Sequence, residues 1–285
     1  MGFSSVQALV DAELAGQTWY STWRKSPSQV STIGVWFDLS MSPGNPVPQY
    51  YAATPLVGAP MSYSDEQGLM VGRNVAPATK HLKRVTVMTA TATALPMPMM
   101  LLDYLFYYPF IDEGSTDEQL LDNTQSLTRY ADGEGVQVMA VSVAGRTGGQ
   151  TFQFSYTNSD GVAGRTSQTV IENAVSVNGS IVTSDRANAN ARGPFVPLQA
   201  GDTGVRSIES VTMNGADVGL FALVLVKPLA QLSLRGIDAP VEVNYLTDFG
   251  QLPTIVDDAY LNFIACPSGS LAATALHGDV TVVWN

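Results

Sequence analysis

From Thr151 to Thr157 the chain alternates without a break, with Phe152, Phe154 and Tyr156 on one side and Gln153 and Ser155 on the other. A period of two sustained over such a run is the pattern of a half-buried strand. Asp160-Gly161 follows closely, a pair that tolerates the positive φ angles of a tight hairpin turn, and Asn178-Gly179 and Asn214-Gly215 repeat that chemistry between other strand-like runs. Short strands joined by such turns predict a mainly β chain, an antiparallel β-sandwich or jelly roll. No strand–helix–strand alternation occurs, so a nucleotide-binding α/β fold is not expected.

Further strands are expected at Ile33–Leu39, Arg84–Ala90, Val136–Val143, Val218–Val226 (ended by Lys227-Pro228), Val241–Leu246 and Asp279–Trp284. Leu95–Ile111 is the most apolar stretch. It is short for a membrane helix and holds Pro96, Pro98, Asp103 and Pro109, so it reads as a buried strand with irregular ends. Two helices are expected. Ser5–Ala15 places Val6, Leu9, Val10 and Leu14 on one face with Gly16 as a stop. Ser115-Thr116-Asp117-Glu118 reads as a capping box opening a short helix that turns Leu120 and Leu121 inward. The expected division is residues 1–30 as a helical and aromatic N-terminal arm and 31–285 as the β-sandwich domain, with a subdivision near Tyr63.

Charge narrows the function. Charged residues are only 14% of the 285, and 14 Lys and Arg face 25 Asp and Glu for a net charge of −11. A free-standing nucleic-acid binder needs a basic face to neutralise phosphates, and this chain has little to build one from. Direct nucleic-acid or membrane partners are therefore not expected. So few charges also suit a surface largely covered by neighbours. Asp11 and Glu13 stand where a signal peptide has a basic start and an apolar run, and Arg24 is the first basic residue. That predicts folding in a cytoplasm.

Motifs for catalysis are missing: there is no G-x-S-x-G, G-x-G-x-x-G, Walker loop or H-E-x-x-H. His81 in Lys80-His81-Leu82-Lys83-Arg84 reads as an exposed strand entrance, and His277 before Gly278-Asp279 as a turn. The Lys80–Arg84 run reads as an edge-strand guard or a set of salt-bridge partners. Two histidines and Cys266, read as a buried small apolar side chain, supply too few nitrogen and sulfur ligands for zinc. Asp112, Glu113, Asp117, Glu118 and Asp122 lack the ligand spacing of a calcium loop and read as a solvated helix start, with a weak calcium site as the alternative. No catalytic, cofactor-binding or metal residues are nominated, no cofactor is expected, and the chain reads as non-enzymatic. The candidate interface is Trp19, Tyr20, Trp23 and Arg24, residue types that anchor protein contacts.

Two stretches carry a resemblance. RYADGEGVQVMAVSVAGRTGGQTFQFSYTNSDGVAGRTS, Arg129 to Ser167, and GPFVPLQAGDTGVRSIESVTMNGADVGLFALVLVKPL, Gly193 to Leu229, resemble segments of virion structural proteins of tailed bacteriophages, in the head-associated group. The resemblance implies an all-β protein of the virion, partnered by copies of itself and other virion proteins, with no catalytic residues to carry over. A capsid decoration, minor capsid or head-fibre-base role follows from it, with a tail or baseplate component as the alternative. A carbohydrate-binding β-sandwich module and a hydrolase with dispersed carboxylates are the rivals from other classes.

Overall fold

The computed structural model describes residues 3–63 and 67–285. Its longer strands are β1 (Thr18–Lys25), β2 (Lys80–Thr89), β3 (Met97–Asp112), β4 (Gln137–Ser142), β5 (Thr151–Asn158), β6 (Val205–Met213), β7 (Leu220–Leu234), β8 (Val241–Asn244), β9 (Leu261–Ala265) and β10 (Leu276–Trp284). Helices α1 (Val6–Leu14) and α2 (Tyr245–Asp248) lie near the two ends of the chain.

Among the described residues four sheets form, all with antiparallel strand pairings; three are built on the longer strands, and the fourth is the short pair Arg146–Thr147 with Val175–Ser176. The first runs β8-β2-β10-β1, the second β9-β3-β7-β4, and the third is built on β5 and β6. The second organises the rest, because β3 and β7 stay paired from Asp112–Leu220 to Met97–Leu234. One half of this ribbon, Met97, Met99, Leu101, Ala230, Leu232 and Leu234, packs on Leu82, Val85, Val87, Val280 and Val282 of the first sheet. The other half, with Leu105, Tyr108, Ile111, Phe221, Leu223 and Leu225, packs on Phe152, Phe154, Tyr156 and Val211 of the third. The molecule is thus two sandwiches sharing one long strand pair. Register shifts at Leu225/Val226 and Pro228/Ala230 fall between the halves, where a bulge re-aims the side chains. The remaining face of the ribbon, including Leu102, Tyr104, Ala222 and Val224, is closed by Tyr51, Met61 and Ile181. Each fully buried Leu or Phe stabilises by about 1.5–3 kcal/mol.

The expected mainly antiparallel fold and short N-terminal helix are present. Asp160-Gly161 makes its turn with Gly161 at φ +78°, and Phe154 and Tyr156 are buried. Several local expectations are corrected. The strand expected at Ile33–Leu39 shrinks to Phe37–Asp38. The Asp38 carboxylate accepts from the Ser40 amide at 2.9 Å and starts a 3-10 turn at Leu39–Met41. No helix starts at Ser115. The Gln119 side chain bonds both the amide and the carbonyl of Asp112, at 2.9 and 2.8 Å, closing a turn into Gln119–Leu120 with Leu120 exposed. Tertiary bonding here overrides the local capping signal. Pro228 does not end β7. β4 stops opposite Val226, so proline's missing donor falls where β3 is the only paired neighbour. Asn244, by contrast, ends β8 early by accepting from the Leu246 amide and opening α2.

Candidate assembly surface and buried carboxylate cluster

Ser5 caps α1, its hydroxyl accepting from the Ala8 amide at 3.1 Å, and Gly16 follows the helix at φ +75°. The helix lies on the outer face of the first sheet. Leu9 and Ala12 pack on Val283, with Phe3 and Leu246 beside them, and Lys83 pairs with Glu13. The expected inward face is therefore divided. Leu9 is buried, whereas Val6, Val10 and Leu14 are 62%, 41% and 82% exposed. These three lie four residues apart and form a stripe on the outer side of the helix.

The aromatic group belongs to β1, which pairs with β10 from Thr18–Val283 to Lys25–Leu276. Strand alternation splits it. Trp23 is 2% exposed and stacks on Phe263 at 4.2 Å between ring centroids. Tyr20 is 66% exposed and Arg24 is also exposed, while Trp19 lies at the margin against Gly72. Surface from the nominated group thus comes from Trp19, Tyr20 and Arg24.

The histidines and the basic run are placed differently from expectation. His81 is buried within β2, where burial lowers its pKa, and His277 sits in β10 rather than in a turn. β2 is flanked by β8 and β10 and is not an edge. The basic run forms salt bridges: Lys80 with Asp257 at 3.1 Å, Lys83 with Glu13, and Arg84 with Asp279 at 2.8 Å. Cys266 is half-buried, and burial raises its thiol pKa.

Ionisable groups that the sequence scattered are gathered in the interior. Asp38 accepts from Tyr104 at 2.6 Å and Tyr51 at 2.5 Å; burial raises its pKa against the pull of these bonds. Asp103 pairs with Arg129 at 2.8 Å, and Arg129 also donates to the carbonyls of Met61 and Tyr104 at 2.7 and 2.8 Å.

The largest cluster surrounds Arg146. Its Nε donates to both Glu113 oxygens at 2.8 and 2.7 Å, and its Nη2 to Glu172 Oε2 at 2.8 Å and Asp217 Oδ2 at 3.3 Å. Its Nη1 donates to the Asn173 carbonyl. The amides of Gly149 and Gln150 donate to Asp217 Oδ2 at 2.7 and 2.8 Å. Gly148 has to be glycine, since it sits at φ +149° and a Cβ would run into the Asp217 carboxylate. Burial pushes Glu172 up to about 8, opposed by Arg146 and helped by Glu113 and Asp217; burial also raises Glu113. Glu113 is therefore not part of a solvated helix start. Sequence reasoning missed this cluster because its members are far apart along the chain, and only the nearby glycines hint at a crowded backbone.

An apolar depression of about 530 Å³ lies between β7 and β8 and is lined by Met100, Phe195, Leu229, Val243, Tyr245 and Phe249. None of the ion clusters opens into it. No helix among the described residues is long and apolar enough to cross a membrane.

No family model matches the chain, and no curated protein matches it in sequence. Among solved structures, the crystal structure of the infectious bursal disease virus VP2 subviral particle aligns with 94% of this chain and 80% of that chain, at 10% sequence identity and a TM-score of 0.19. A superposition that loose carries no argument about function.

Proposed function

We propose that this chain is a non-enzymatic structural subunit of a bacteriophage particle, capsid-associated, that assembles with copies of itself through the outer face of α1 and the adjoining end of β1. The observation that carries this reading is the stripe of Val6, Val10 and Leu14, which faces water although its neighbours Leu9 and Ala12 are buried. A nine-residue helix is marginal alone. Here one side is held by Val283, and the other is left apolar. A second copy of the same chain offers the matching surface, since a two-fold axis through Val10 sets Val6 against Leu14 of the other copy. The resemblance of Arg129–Ser167 and Gly193–Leu229 to phage virion proteins supplies the particle, and the acidic balance supports a position away from the packaged genome.

Light scattering on the full chain tests it. Wild type is expected to be oligomeric, and Val10→Glu with Leu14→Glu is expected to dissociate it into a monomer that keeps its β circular-dichroism spectrum, because both side chains are exposed. A monomeric wild type, or a variant with unchanged mass, overturns the reading. Deleting residues 1–25 would be a poorer test, because it removes β1 from the first sheet.

A further inference from the structure

We propose that Glu113, Glu172 and Asp217 form a divalent-cation site, and that the cation is calcium. Four observations converge on it. First, one oxygen from each carboxylate lies within 4.8 Å of the other two, the spread expected of oxygens sharing one ion at about 2.3–2.6 Å. Second, the charges do not close. When ionised, the three carboxylates face one guanidinium with a surplus of two negative charges, and their side chains are 0%, 0% and 4% exposed. Buried charge of one sign is costly unless it is paired, and one divalent cation brings this sum to zero. Third, Glu172 Oε1 is fully buried with no hydrogen-bond donor to satisfy it, and the Glu172 carboxyl lies within hydrogen-bonding reach of Asp217, a second acceptor. Fourth, the donors are all oxygen. Hard cations follow from that, and an irregular set of protein carboxylates suits calcium better than magnesium, which keeps its waters and demands an octahedron.

Arg146 does not fill the site. Each ionised carboxylate offers about four lone-pair positions, and the guanidinium and backbone amides use only part of them. Arg146 positions the three carboxylates, and the ion takes lone pairs the guanidinium leaves. The ligands come from the end of β3, the segment after Val170–Ile171 and the turn before β7, so a bound ion ties three separate segments of the third-sheet sandwich together.

The test uses the full chain, stripped with chelator and dialysed against calcium chloride, with magnesium chloride as the comparison. About one calcium per chain is expected, with a rise in melting temperature on the order of 5 °C near a hundred-fold excess over Kd. Glu172→Gln and Asp217→Asn are each expected to weaken calcium binding at least ten-fold, while Glu118→Gln, at an exposed acid, leaves it unchanged. A folded wild type that binds no calcium overturns the proposal, and this result does not depend on any variant folding. Calcium binding that survives both Glu172→Gln and Asp217→Asn also overturns it. A melting temperature that rises on acidification and ignores calcium assigns the surplus charge to a proton shared by Glu172 and Asp217, and overturns it as well.

Discussion

Arg129 and Arg146 are both buried, and they solve the same problem with different stoichiometry. Arg129 meets one carboxylate, Asp103, and spends its other donors on the carbonyls of Met61 and Tyr104. The Tyr260 amide donates to Asp103 at 2.9 Å, so the pair is neutral and well bonded. Arg146 meets three carboxylates and leaves Glu172 Oε1 without a partner. The first arrangement is complete within the chain and serves to fix β3 against the chain that crosses it. The second is over-supplied with negative charge, so its stability depends on what else is bound there, a proton or an ion. A count of buried salt bridges would treat the two alike; the charge sum separates them.

The largest expected effect comes from removing the shared cation. Arg146→Met leaves three buried carboxylates facing one another and is expected to cost about 3–5 kcal/mol in urea unfolding of chelator-treated protein. A cost under about 1 kcal/mol would show that the carboxylates already carry protons and that the guanidinium matters little.

Next is a reversal of sign between the two sites. Asp103→Asn strands Arg129 without a counter-charge and is expected to destabilise by about 3 kcal/mol. Glu172→Gln removes surplus charge and is expected to be neutral or stabilising in chelator at pH 8. The pH dependence follows from burial. Glu172 titrates near 8 in the folded chain against an ordinary 4.5, so between those values the folded state holds a proton the unfolded state has lost. Stability therefore falls as pH rises through that window. Glu172→Gln flattens the fall by its own share; Glu113, Asp38 and Asp103, also raised by burial, keep the remainder. Parallel curves for wild type and variant from pH 5 to 8 would remove Glu172 from the argument.

How much of this was legible beforehand divides along the same line. Strands announced themselves where alternation was local, as at Thr151–Asn158, and the apolar Leu95–Ile111 stretch gave β3 almost to its ends. β1 was missed although Ser21, Trp23 and Lys25 alternate inward, because a lysine at a core position and a cluster of aromatics read as surface. That lysine is accommodated by the carbonyls of Ser42 and Pro46, at 3.1 and 2.7 Å, partners no local pattern reveals. The α1 periodicity marks a helix but not which of its faces is covered. Which side of a short helix is covered depends on Val283, near the other end of the chain. Beyond the glycines near Asp217, nothing in the sequence marks the Arg146 cluster, since Glu113, Arg146, Glu172 and Asp217 meet only through the packing of the third-sheet sandwich.

The smallest expected effect separates burial from stoichiometry. On the outer face of the first sheet Arg84 also has more than one carboxylate, Asp279 at 2.8 Å and Glu242 at 3.8 Å. Its surplus resembles that of Arg146, but the Arg84 and Asp279 side chains are 34% and 29% exposed. Water and salt can screen what the interior cannot. Arg84→Met is therefore expected to cost about 0–1 kcal/mol, and most of that cost should vanish in 1 M sodium chloride, where the Debye length is about 3 Å. Arg146→Met should keep its cost in the same salt, because its partners are out of reach of mobile ions. Equal salt sensitivity at the two positions would mean that the Arg146 cluster is open to solvent. The contrast between a closed pair and an over-supplied one would then rest on pairing alone.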